Sequence, residues 1–100
     1  MIVVNGVIAS TLDNINATRD AIAKMEEASR GEEGCHDYTF SVELNEPTML
    51  RITECWESME HLVAHFATPH MAEFRAALAA HPPTSLDVTF YEATEVTPPR

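Results

Sequence analysis

Apolar positions along the chain alternate between two periods, near two residues and near three and a half, and each change of period marks a new element. Ile2 to Ser10 is dense in β-branched residues with weak alternation, the pattern of a mostly buried strand. Thr11-Leu12-Asp13-Asn14 supplies helix-capping chemistry, and Ile15, Thr18, Ile22 and Met25 then recur at helical spacing to about Ala28. Gly31 and Gly34 bracket a Glu32-Glu33 loop that ends at Cys35. From there His36, Tyr38, Phe40, Val42 and Leu44 alternate with Asp37, Thr39, Ser41 and Glu43, which predicts a strand buried on one face. Asn45-Glu46-Pro47 predicts the turn into a third strand, Thr48 to Trp56, with Leu50, Ile52, Glu54 and Trp56 on one face.

Ser58 is placed to cap a helix whose apolar stripe is Met59, Leu62, Val63 and Phe66. Thr68-Pro69 interrupts and restarts it, because Thr is a good N-cap and Pro suits the first helical position. Met71, Phe74 and Leu78 carry the new face until His81-Pro82-Pro83 stops it. A last strand, Leu86 to Ala93, sets Leu86, Val88, Phe90 and Glu92 together. The order is β-α-β-β-α-β, a ferredoxin-like α+β domain over residues 1–96, followed by a short tail at 97–100. Two helices cover one face of such a sheet. The other face carries Val3, Val7, Met49, Cys55, Tyr91 and Ala93 among polar residues, which predicts a homodimer packed sheet against sheet, a partly wet sheet being the alternative.

Charge narrows the partners. Sixteen Asp and Glu against six Lys and Arg leave a formal charge of -10 over 100 residues, which repels phosphate backbones and anionic lipid; neither nucleic acid nor membrane is expected as a partner. The N-terminus has no basic leader, and no apolar run nears the ~20 residues of a membrane span, so a cytoplasmic location is expected. Cys35 and Cys55 match neither a redox pair nor a zinc ribbon, and reduced thiols are the default.

Glu54 stands out because it lies between Ile52 and Trp56 on the helix-covered face, where an ionised carboxylate must be paired or titrate upward. It reads either as a local structural partner or as a general base. Arg75 is the one Lys or Arg between Ile52 and Pro99, a stretch with seven acids, and it can steady an anion if its helix packs over Trp56. His61 and His65 share a helix face at metal-ligand spacing, but without a His-Glu-x-x-His pattern no metal site is expected. His65 and His70 flank the Thr68-Pro69 break, where a helix N-terminus favours a neutral imidazole fit to act as a base, or one that simply caps the break.

Glu33-Gly34-Cys35-His36 with Tyr38, the segment Glu54-Cys55-Trp56-Glu57-Ser58, and His65 with Thr68-Pro69-His70-Met71 resemble the antibiotic biosynthesis monooxygenase family, closest to its small bacterial quinol monooxygenases. The resemblance implies a dimeric α+β barrel in which each subunit keeps a pocket between sheet and helices. It implies oxidation of a small electron-rich phenol or hydroquinone by dioxygen without metal, flavin or haem, since a deprotonated dihydroxyaromatic is itself the reductant. Trp56 would then be an aromatic wall; Glu54, His65 or His70 the base; and Arg75 the group that steadies the phenolate or peroxide. Asn5, Tyr38, Ile52, Leu62, Phe66 and Phe74 complete the expected substrate contacts. Polyketide oxygenases of the family carry Asn and Tyr where this chain has Ile52 and Leu62, so a polyketide anthrone is not the expected substrate. Haem-degrading relatives carry a helix Trp where His65 stands, and a His ligand near Phe74. An isomerase of a small phosphorylated signalling sugar shares the His-x-x-Thr-Pro-His block and remains an alternative, as does a non-catalytic ligand-binding or stress-associated dimer.

Overall fold

In the computed structural model, which describes residues 1–100, seven elements follow one another. They are β1 (Ile2–Ala9), α1 (Leu12–Arg30), β2 (Cys35–Glu43), β3 (Glu46–Trp56), α2 (Met59–Phe66), α3 (Pro69–Ala80) and β4 (Ser85–Glu92). The strands form one antiparallel sheet in the order β2-β3-β1-β4. This is the expected α+β arrangement with the second helical region split in two.

Each helix starts where its capping residue allows. The Thr11 hydroxyl accepts from Asn14 N–H at 3.1 Å, Ser58 from His61 N–H at 3.4 Å, and Thr68 from Met71 N–H at 3.3 Å, satisfying donors the first turn leaves free. Pro69 then opens α3, where a missing N–H costs nothing. α1 runs two residues past the expected Ala28 and ends against Gly31.

The core lies between α1, α2, α3 and one face of β1, β2 and β3. Ile2, Val4, Met25, Tyr38, Ile52, Trp56, Leu62 and Phe74 form one cluster, with Ile8, Ile15 and Leu50 as a smaller one beside it. Gly6 pairs with Ile52 across β1 and β3, and a Cβ there would meet Ile52 Cγ2 at 2.4 Å; glycine is what lets Ile52 lie flat over β1.

Three expectations are corrected. The β2–β3 turn is Leu44-Asn45, one residue earlier than Asn45-Glu46-Pro47, and Leu44 points into solvent; a register irregularity after Val42 takes up Pro47 within β3. The strict alternation of β2 fails at its start: Cys35 pairs with Trp56 and Asp37 with Cys55, leaving His36 as the extra residue of a bulge. Cys35, not His36, therefore joins Tyr38 against the core, and His36 turns outward to bond Glu57. In α2 the buried positions are Leu62 and His65, whereas Met59 and Val63 are exposed, because the helix turns its Leu62-His65 edge toward Trp56.

Candidate active site

β3 sends Ile52, Glu54 and Trp56 to the helix-covered side, and Glu54 is 8 % exposed. Its Oε1 accepts a hydrogen bond from the Trp56 indole N–H at 2.9 Å, between two residues that the strand's period of two puts side by side. Burial pushes the Glu54 carboxyl above its ordinary value; the Trp56 bond and His65 pull the other way, and Glu32 adds to the rise. A carboxylate with this placement is a stronger base than one in water.

Beside Glu54 lies a cavity of about 260 Å³ between the sheet and α3. Its walls are Val4, Ile8 and Ile52 below, Met71, Phe74 and Leu78 above, and Leu86, Val88 and Phe90 along β4, with Tyr38, Phe40 and Phe66 closing the ends. Glu54 and Arg75 are the charged residues in its lining. The Arg75 guanidinium stands 6.0 Å from the centre of the Phe66 ring, a cation held over an aromatic face near the opening. An apolar cleft with one carboxylate and one cation has the chemistry to take up a flat, weakly acidic molecule and to favour its anion.

A second polar group sits behind this cavity. His65 is 1 % exposed, its ring packed against Trp56 at 4.7 Å, Tyr38 at 5.4 Å and Phe66 at 5.7 Å between centres. Its Nδ1 lies 2.6 Å from Glu32 Oε2, and His70 Nε2 lies 2.8 Å from the same oxygen. The His65 Nε2 is buried and has no partner. The donor atoms of Glu32, His65 and His70 fall within 4.8 Å of one another, the chemistry of a metal site. They are already bonded to each other, however, and a ligating His65 would bury an unpaired Nε2–H where metal-binding histidines usually have an outer acceptor. The group reads as a hydrogen-bond network.

Of the residues singled out in the sequence, Tyr38, Ile52, Glu54, Phe66, Phe74 and Arg75 meet in the cavity. Trp56, Leu62 and His65 lie behind its wall, and His70 stands at a surface groove with Glu32, Lys24 and Glu73. Asn5 is exposed on the other face of the sheet, beside Thr53 and Thr89. His61 does not join His65: its Nδ1 faces the Ser58 hydroxyl at 2.7 Å. Glu32 is the residue the sequence reasoning missed, because its partners stand 33 and 38 positions away. Cys35 is a free thiol that burial and nearby acids push up to about 11, so it stays protonated and unreactive at neutral pH. No helix is long and apolar enough to cross a membrane.

Comparison with known proteins gives the family and the fold. The family model described as antibiotic biosynthesis monooxygenase matches residues 1–77. A protein of Escherichia coli K12 named probable quinol monooxygenase YgiN is 36% identical over 70 residues, 62% of this chain and 67% of that one. Among solved structures, a candidate antibiotic biosynthesis monooxygenase from Deinococcus radiodurans superposes with a TM-score of 0.90 at 28% identity, covering 100% of this chain and 99% of that one. Rv0793 of Mycobacterium tuberculosis, at 22% identity and a TM-score of 0.84, covers 97% of this chain and 98% of that one and shares the fold.

Proposed function

The chain belongs to the antibiotic biosynthesis monooxygenase family, and from that premise we propose that it oxidises a small electron-rich phenol or hydroquinone to a quinone with dioxygen, without a cofactor. The observation that carries this reading is the cavity that sets a buried Glu54 and an exposed Arg75 against apolar and aromatic walls. Glu54 takes the phenolic proton. The phenolate that results is rich enough in electrons to reduce dioxygen. One oxygen atom replaces a ring hydrogen and the other leaves as water; two electrons come from the diol and two from the C–H bond. Arg75 steadies the negative charge as it moves from phenolate to peroxide, and the apolar walls keep water from quenching it.

The lining also bears on the alternatives. A phosphorylated sugar would meet one cation and twelve hydrophobic residues, a poor exchange for its hydration. The same reading makes the protein a homodimer through the open sheet face, where Val3, Val7, Met49 and Cys55 are half-buried and Tyr91 is exposed; sedimentation as a monomer at micromolar concentration overturns that part. The test of function is oxygen uptake by protein stripped of metal and flavin, supplied with a panel of hydroquinols. Saturable uptake of one dioxygen per quinol is expected. Uptake no faster than autoxidation with every quinol overturns the proposal.

A further inference from the structure

Among the arginines on helices and strands, Arg75 alone bonds nothing in the protein. Arg19 bonds Asn16, Arg30 bonds Glu26 and the Tyr38 carbonyl, and Arg51 bonds Glu43. Arg75 has neither a hydrogen bond nor an ion pair, in a chain that carries 16 acids. Its guanidinium lies 6.0 Å from the centre of the Phe66 ring, and Phe66 meets Phe90 of β4 edge to face at 6.4 Å. The cation therefore stands where the helical and strand walls of the cavity approach one another. At the buried end of the same cavity, Glu54 Oε1 is held by the Trp56 indole N–H, and the other carboxylate oxygen bonds nothing in the protein. One cavity of about 260 Å³ thus offers a free acceptor within and a free planar donor at its mouth, with twelve hydrophobic residues in its lining.

Resting on the oxygenase reading, we propose that the substrate is a phenol or hydroquinone that carries a carboxylate, with that carboxylate on Arg75 at the mouth and a hydroxyl on Glu54 within. A guanidinium presents two parallel N–H donors to the two oxygens of a carboxylate, and such a pair fixes direction as well as position. The apolar walls hold the ring; a small free acid gains nothing from them, and a neutral hydroquinone leaves the guanidinium unmatched. Phosphate is the poorer handle, because it brings close to two negative charges to a single cation in a chain of formal charge -10. The carboxylate is a spectator. No bond to it forms or breaks, and the remaining N–H groups of Arg75 stay available to the oxygen that reacts. With both ends engaged the ring cannot turn end over end, so the hydroxyl that faces Glu54 is the same in every encounter.

The phenol meta-hydroxyphenylacetate and its methyl ester are redox-inert probes that differ in the charge alone at the handle. In isothermal titration calorimetry of the full chain at neutral pH, the acid is expected to bind about tenfold or more tightly than the ester, as a charge-assisted bond does. Arg75→Gln should bring that ratio within about twofold, and Arg75→Lys should keep part of it. Equal affinity of the wild type for acid and ester, or a preference that survives Arg75→Gln, overturns the proposal. Turnover is read separately, as oxygen uptake with homogentisate, a hydroquinone with an acetate arm, and with its methyl ester. A lower KM for the acid, lost in Arg75→Gln, supports the proposal. Equal kcat/KM for the two, with uptake well above autoxidation, overturns the carboxylate and leaves the oxygenase reading standing. Acid-selective binding with no uptake from any hydroquinol supports the carboxylate site and overturns the oxygenase reading.

Discussion

β3 and β4 flank the same central strand and carry the same kind of pattern, yet their fates differ. On β3 the inward residues Leu50, Ile52, Glu54 and Trp56 are all buried, the tryptophan fully. On β4 the matching residues Leu86, Val88 and Phe90 remain 50 %, 38 % and 48 % exposed. Alternation specifies the side of the sheet a residue faces; it does not specify what covers that side. α1 and α2 pack on β3, whereas the space over β4 is the cavity. One strand therefore carries stability and the buried carboxylate, and the other lends its apolar side chains to the cavity wall.

Substitutions on the two strands should separate these roles. The largest effect expected is on chemistry: Glu54→Gln should lower kcat by a factor of about 10²–10⁴, the usual span for a general base, measured by oxygen uptake. Next is stability. Trp56→Ala should cost about 3–5 kcal/mol in urea denaturation, because it empties a fully buried site. The paired substitution on the other strand, Phe90→Ala, should cost about 1 kcal/mol or less and act mainly on KM; an equal loss of stability from both would break the comparison. Arg75→Ala should reduce kcat/KM about tenfold, with stability almost unchanged since the side chain sits at the cavity mouth. The smallest effect has an informative sign. Glu54 has a folded pKa above its unfolded value, so the native state holds the proton more tightly. Its ionisation therefore erodes stability as pH rises past the ordinary carboxylate value of 4.5. Glu54→Gln should then be more stable than the wild type at pH 7 and lose that advantage near pH 4, which thermal melts at the two pH values would show.

Much of this was legible from residue order. The caps at Thr11, Ser58 and Thr68 are local chemistry, and the inward face of β3 follows from period two; both emerged as expected. The cavity residues Glu54 and Arg75 could be named because a charge inside an apolar stripe and a lone cation stand out in any sequence. What could not be read depended on contacts distant in the chain or on an added residue. The bulge at His36 shifts the phase of β2 by one, and nothing in alternating residues announces it. The bonds of Glu32 to His65 and His70 close only after α1, α2 and α3 have packed. The apolar stripe expected on α2 lost Met59 and Val63 to solvent because His65, with a carboxylate to bond, took the interior position instead.

The open outer wall of the cavity has a bearing on descent and design. Leu86, Val88 and Phe90 hold up little of the core, so a lineage can exchange them without first acquiring compensating changes, while Glu54, Trp56 and His65 are bound into the core that keeps the chain folded. Selection acting on such a molecule can reshape the cavity one β4 side chain at a time, and a library confined to those three positions varies its lining with Glu54 and Arg75 untouched.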